Sequence, residues 1–99
     1  MDEVIRKGRS TVWVLKRRIQ KLLDEMAENP AKDWRIEEVL KVAAHAEVIT
    51  SPPSSGSHYT FASPHLEEIR TVPHKRPIKP VYIRAFAKWV KLHLEKAEE

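Results

Sequence analysis

Five histidines and no cysteine set the range of side-chain chemistry open to this chain. Without cysteine there is no thiol nucleophile, no thiolate metal site and no disulfide. The histidines are His45, His58, His65, His74 and His93, and none stands at a metal-ligand spacing such as H-x-x-x-H. No acidic cluster suggests a two-metal nuclease. Neither a P-loop nor a G-x-G-x-x-G turn is present. No metal and no cofactor are therefore expected. The chemistry the histidines offer is proton transfer, which an imidazole performs near neutral pH. His58 stands out by its setting, Gly56-Ser57-His58-Tyr59-Thr60-Phe61, a turn by composition running into a strand. Strand residues at odd separation face opposite ways. With Phe61 and Tyr59 toward the core, His58 and Thr60 face away, where a ligand can reach them. On these residues alone a solvated surface histidine is the better reading.

The other histidines carry less. His74, after Pro73, is a second proton-transfer candidate, ranked below a loop histidine that touches phosphate or nothing. His45 stands near the end of a helix, where it can meet the last carbonyls. His65 and His93 have no supporting context. Lys75, Arg76 and Lys79, with Arg84, Lys88 and Lys91, put six cations in the last quarter of the chain. Each alone is ordinary solvated charge; clustered in one link and along one helix face, they read as a polyanion footprint. Gly56 and Ser57 can offer backbone N–H groups to a phosphate, with a plain turn as the competing reading. Trp13, Trp34 and Trp89 read as core or helix-packing residues rather than base-stacking platforms.

The elements that must position these groups follow from hydrophobic period. Leu15, Ile19, Leu22 and Met26 fall at steps of four, three and four, which predicts a helix within 12–29. Glu28-Asn29-Pro30 stops it, because the residue before proline avoids the α region. A second helix is predicted from Asp33, as its N-terminal cap, to about Ala46. Glu37 and Glu38 sit near its positive end, and Ile36, Val39, Leu40, Ala43 and Ala44 form its apolar face. Short strands are predicted at 47–51, 57–62 and 67–72, separated by Pro52-Pro53-Ser54-Ser55-Gly56 and Ser63-Pro64-His65-Leu66. Such short links require antiparallel neighbours. A last helix from about Val81 to Lys96 carries Ile83, Phe86, Val90 and Leu94 on one stripe, with Trp89 beside it. The predicted order is α–α–β–β–β–α, an α+β fold with helices on one face of a three-stranded antiparallel sheet.

At 99 residues the chain fits one domain with one modest core. Residues 1–11 read as poorly ordered, 12–29 as an additional N-terminal helix and 33–99 as the core unit. The net charge of +4 permits a polyanionic partner without demanding one. Met1 to Arg9 has no apolar centre and is not a secretory signal. No apolar run reaches transmembrane length, so no membrane association and a cytoplasmic location are expected.

Gly56-Ser57-His58-Tyr59-Thr60-Phe61, followed by Thr71-Val72-Pro73-His74, resembles the signature of the HicA family of toxin ribonucleases. There a glycine-serine-histidine turn enters the second strand, a valine-proline pair closes the third, and a final helix follows. The resemblance covers roughly the last two-thirds of the chain. It implies a fold like the double-stranded RNA-binding domain. It also implies metal-independent mRNA cleavage with the motif histidine essential, and neutralisation by a HicB-like antitoxin. It reverses the ranking of His58, which becomes the expected catalytic residue.

RNA carries its own nucleophile, the 2′-hydroxyl. A cleaving protein needs a base for that proton, an acid for the leaving oxygen and positive charge on the phosphate. On that implication Gly56, Ser57, Lys75, Arg76, Lys79, Arg84, Lys88 and Lys91 are the candidate RNA contacts. The chain departs from the family pattern at named places. Tyr59 stands where many members have a second histidine. Ala46-Glu47 stands where many have a glycine. Lys79-Pro80-Val81 replaces a glycine-threonine pair. Two alternatives from other classes are a non-catalytic RNA-binding module and a protein-interaction domain of the same fold.

Overall fold

The computed structural model describes residues 17–98. The expectations for residues 1–11 and for Val12 to Leu15, Trp13 among them, lie outside the described residues. Within them the chain forms α1 (17–28), α2 (Ile36–His45), β1 (Ile49–Ser51), β2 (His58–Ser63), β3 (Leu66–Pro73) and α3 (Pro80–Ala97). The fold is a small α+β unit in the order α–α–β–β–β–α. From α2 onward this is the α–β–β–β–α order that the resemblance implies.

The three strands pair in sequence order as an antiparallel meander. In β1–β2, Thr50 lies opposite Phe61; in β2–β3, Tyr59 lies opposite Val72 and Thr60 opposite Thr71. The alternation of side chains follows the pleat. Phe61 and Val72 are fully buried, Tyr59 packs against the core, and Thr71 is exposed. One face of the sheet thus lies under the helices. The other is bare, with Ile49 57% and Ile69 55% exposed. The Ser63-Pro64-His65-Leu66 turn is held by the Ser63 hydroxyl, which accepts the His65 N–H at 3.0 Å, a side chain standing in for a backbone turn bond.

All three helices contribute to one core. From α3 come Ile83, Phe86, Ala87, Trp89 and Val90. The Phe86 ring lies 5.0 Å from that of Phe61, tilted by 59°. Trp89 is 3% exposed and its indole N–H donates to the Glu68 carbonyl at 2.9 Å. Trp34 is wholly buried and donates to the Asn29 carbonyl at 2.9 Å. Both indoles are therefore packing residues with their polar handle satisfied. In α1 the buried stripe is Ile19, Leu23 and Met26, as expected at Ile19 and Met26, with Leu23 fully buried where Leu22 was expected and Leu22 only partly covered. In α2 it is Ile36, Val39, Val42 and Ala43. Leu40 is half-buried, while Ala44 is exposed. Helix α1 is thus part of the core as well as an addition to the core unit, and the Lys91 ammonium of α3 meets its Asp24 at 2.7 Å.

The ends of α2 differ from expectation for local reasons. The cap is Arg35, not Asp33, and the Glu38 carboxylate reaches back to accept the Arg35 N–H at 2.8 Å. Asp33 is engaged elsewhere, in an ion pair with Arg76. At the other end Val48 N–H donates to Ala43 O at 3.1 Å and Glu47 N–H to Ala44 O at 3.2 Å. These two bonds make the Schellman cap, which requires a left-handed residue between cap and strand. Glu47 takes that conformation, with φ of 61°, at the place where the resembled family often has a glycine. His45 donates through Nδ1 to the Lys41 carbonyl at 2.8 Å, the carbonyl contact its position predicted.

Candidate functional site

β2 begins at His58 because the chain before it turns on Gly56, whose φ of 95° is open to glycine and strained for other residues. The strand pairing places His58 opposite Pro73, and Ser57 O accepts the backbone N–H of His74 at 2.9 Å. The Gly-Ser-His and Val-Pro-His segments, well separated in sequence, thus meet at one end of the sheet.

His58 is exposed. Its Nδ1 lies 3.5 Å from the Ser57 hydroxyl, at the outer limit of a hydrogen bond. No hydrogen bond among the described residues engages Nε2, so this nitrogen has a lone pair or proton to offer. The ring also meets the Tyr82 ring edge-on, with centroids 6.3 Å apart and planes at 74°. Tyr82 lies in the first turn of α3. Strand alternation puts His58 over the bare face; the Tyr82 contact instead draws its ring to the start of α3. Sequence periodicity did not single out Tyr82. Its neighbour Ile83 belongs to the apolar stripe, and nothing local marks a ring that meets a residue in another element.

His74 is also exposed, but its ring pairs edge-on with Tyr59 at 6.2 Å rather than with His58. The two histidines share a backbone junction without a direct ring contact between them.

The six cations separate into three groups. Arg76 is bound to Asp33, through its Nη2 and through Nε at 3.3 Å. The guanidinium holds the Asp33 carboxyl below the usual carboxylate range, and the carboxylate raises Arg76 in return. Lys91 is held by Asp24, whose carboxyl is likewise lowered by hydrogen bonds from Lys91 and Gln20. Lys75, Lys79, Arg84 and Lys88 are exposed and make no ion pair among the described residues. Lys75 directly follows His74, and Lys79 caps α3, with its carbonyl accepting the Tyr82 N–H at 3.0 Å. Arg84 and Lys88 point elsewhere. At about 100° per residue they stand roughly 160° and 120° around the helix from Tyr82. The structure therefore brings Lys75 and Lys79 to the His58 end and leaves the helix pair on a separate face.

A second histidine centre lies away from this site. His93 is 2% exposed. Its Nε2–H donates to the Ala46 carbonyl at 2.8 Å, and its Nδ1 lies 2.6 Å from the Ser63 hydroxyl. A carbonyl only accepts, so the proton sits on Nε2, and in the neutral ring Nδ1 accepts from Ser63. Trp89 stacks at 6.2 Å and His65 lies at 5.5 Å. Every polar atom of the ring is satisfied, which marks a structural residue. It joins the C-cap of α2, the end of β2 and α3. Its only local signal was a polar residue within the apolar stripe of α3.

Among the described residues no group of three histidine or acidic side chains is placed to hold a metal ion, and no helix is long and apolar enough to cross a membrane. No family model, no curated protein and no solved structure matches this chain.

Proposed function

We propose that this protein is the toxin of a type II toxin–antitoxin pair, an endoribonuclease that cleaves mRNA without a metal ion, with His58 transferring a proton at the scissile phosphate. The observation that carries this reading is the His58 imidazole itself. It is exposed, set by the Gly56 turn, steadied on one side by Ser57 and Tyr82, and without a partner at Nε2 among the described residues. A histidine kept for structure looks like His93 instead. Lys75, next to His74, and Lys79, at the N-cap of α3, bring positive charge to the same end of the sheet, and Gly56 and Ser57 form the turn before His58. Arg84 and Lys88, on a separate face of α3, are proposed to hold RNA away from the scissile phosphate.

RNA cleaved through its own 2′-hydroxyl needs these parts and no more. The chain positions the phosphate and moves protons, and the 2′-oxygen performs the attack. The partner proposed to silence it is a HicB-like antitoxin. The observation favouring a protein surface is the bare sheet face with Ile49 and Ile69 exposed, since solvent-facing apolar side chains on one sheet face suit a protein contact.

The test is cleavage of mRNA in excess chelator, with product ends identified. A 2′,3′-cyclic phosphate, or its opened monophosphate, and a 5′-hydroxyl are expected. His58→Ala should abolish cleavage and growth inhibition at unchanged melting temperature. A 5′-phosphate product, a strict need for a divalent ion, or a His58→Ala protein that still cleaves overturns the proposal.

A further inference from the structure

One histidine leaves the chemistry half supplied. Opening an RNA strand through the 2′-oxygen moves two protons: one leaves the 2′-hydroxyl, and one must reach the departing 5′-oxygen. The second group has to lie within one phosphate's span of the first, so that it reaches the leaving oxygen across phosphorus from the base. His74 lies near in the backbone, but its ring is engaged with Tyr59. The ring that meets His58 is Tyr82, held by α3 against the core while remaining half-exposed. No hydrogen bond among the described residues engages the Tyr82 hydroxyl. A tyrosine half-buried at its ring and unpartnered at its oxygen has a donor to spare.

We infer that Tyr82 is the second proton-transfer residue of this site, its hydroxyl protonating the leaving 5′-oxygen while His58 takes the proton of the 2′-hydroxyl. The assignment of roles follows from the groups. An imidazole accepts a proton readily near neutrality, and a phenol carries its proton throughout that range. The bonds balance. The 2′-oxygen forms a bond to phosphorus as Nε2 of His58 receives its proton. The bond from phosphorus to the 5′-oxygen breaks, its electron pair stays on that oxygen, and the Tyr82 proton joins it. A 2′,3′-cyclic phosphate and a 5′-hydroxyl leave. The imidazolium and the phenolate then return to their starting forms by proton exchange with water. Lys79, one turn before Tyr82, brings a positive charge to the same end of α3.

This inference rests on the ribonuclease reading, and the experiment separates the two. The full chain is assayed on two substrates: an ordinary RNA and the same RNA with sulfur replacing the 5′-oxygen at the cleaved bond. A thiolate leaves without needing a proton. Tyr82→Phe keeps the ring against His58 and removes only the hydroxyl. It should slow cleavage of ordinary RNA about 10²-fold or more through kcat, leave KM little changed, and cleave the sulfur-bridged substrate close to the wild-type rate. His58→Ala should be slow on both.

If Tyr82→Phe cleaves ordinary RNA at the wild-type rate, or is equally slow on both substrates, Tyr82 is not the acid and the His58 reading stands. If the sulfur substrate rescues His74→Gln and not Tyr82→Phe, His74 holds the role and this inference is overturned. Loss of the fold in Tyr82→Phe also counts against it, because the hydroxyl makes no bond among the described residues whose removal would unfold the chain. If the wild type does not cleave RNA, or His58→Ala still does, the ribonuclease reading itself falls and this inference falls with it.

Discussion

The two ends of β2 hold two histidines in opposite circumstances. At the first end His58 is exposed, with one marginal hydrogen bond and a ring contact from Tyr82. Beside the last, His93 is 2% exposed, bonded at both nitrogens and stacked on Trp89. The residue type is the same, so the difference lies in what surrounds it. Burial with full hydrogen bonding uses an imidazole as a rigid polar joint, and moving a proton there disturbs three elements at once. Exposure with one nitrogen unengaged keeps the proton available with little structural consequence. A polar side chain that is unfavourable to bury unpaired is placed inside only where all its partners are present.

The sharpest test of that contrast exchanges the two effects. His58→Ala should lower cleavage by about 10²–10⁴-fold and move stability by no more than about 0.5 kcal/mol, as exposed substitutions do. His93→Ala should do the reverse. It empties a buried site and strands the Ala46 carbonyl and the Ser63 hydroxyl, destabilising the fold by about 2–4 kcal/mol. Denaturant titration of both variants, with cleavage assayed under conditions where each is folded, decides it. A His93→Ala protein as stable as wild type would show that the buried network contributes nothing.

Next in size is the division among the cations. Lys75→Ala with Lys79→Ala should weaken RNA binding. It should also reduce the log–log salt slope by about 0.7 for each phosphate no longer neutralised on a single strand. Arg84→Ala with Lys88→Ala lies on another face of α3. It should weaken binding similarly for different sequences, because phosphate contacts carry no base information. It should also leave the cleavage rate of bound RNA unchanged. An unaltered affinity and salt slope in the helix double variant would remove that face from the RNA track.

Smaller effects come from the two left-handed residues. Glu47 uses its φ of 61° to close α2, and Gly56 its φ of 95° to open β2. Glu47→Gly should stabilise the fold by about 0.5–1 kcal/mol, the left-handed strain of a side chain less the added chain entropy of glycine. Gly56→Ala should destabilise by about 1–2 kcal/mol through the backbone alone, since no atom lies within 4 Å of an added Cβ. It should also lower cleavage by shifting His58. Equal stabilities before and after these changes would mean that both turns relax freely.

The smallest effect is in acid. Asp33 has its carboxyl lowered by Arg76. Its contribution is therefore present above the ordinary aspartate value, about 3.9, and is lost as pH falls through the lower folded value. Asp33→Asn should differ from wild type near neutrality and converge with it at the acid end of a melting series. A difference that persisted in strong acid would mean that Asp33 acts through something other than charge.

Much of this molecule is local and therefore readable along the chain. Apolar steps of three and four located α2 and α3, because a helix repeats every 3.6 residues. Turn chemistry separated three short strands and required them to be antiparallel. The exposure of His58 followed from strand alternation about Phe61, three residues on, while its choice as the catalytic candidate rested on the family resemblance. Finer points went astray where a neighbour in space prevailed over a neighbour in sequence. Asp33 looks like a helix cap, but Arg76, 43 residues away, claims its carboxylate. Arg76 and Lys91 look like unattached cations and are held by acids from other elements.

What the sequence by itself determined is the set of elements, their order, the antiparallel sheet and the exposed histidine at its start. Only the tertiary structure decided that His93, marked along the chain only as a polar residue in an apolar stripe, bonds Ser63 and Ala46, partners 30 and 47 residues away. It likewise decided that Tyr82 rather than His74 supplies the ring beside His58. The physical reason is one of range. Backbone preferences and side-chain period act within a turn or two, whereas a polar side chain's partner depends on how α3 settles across the sheet, which no short stretch of chain encodes.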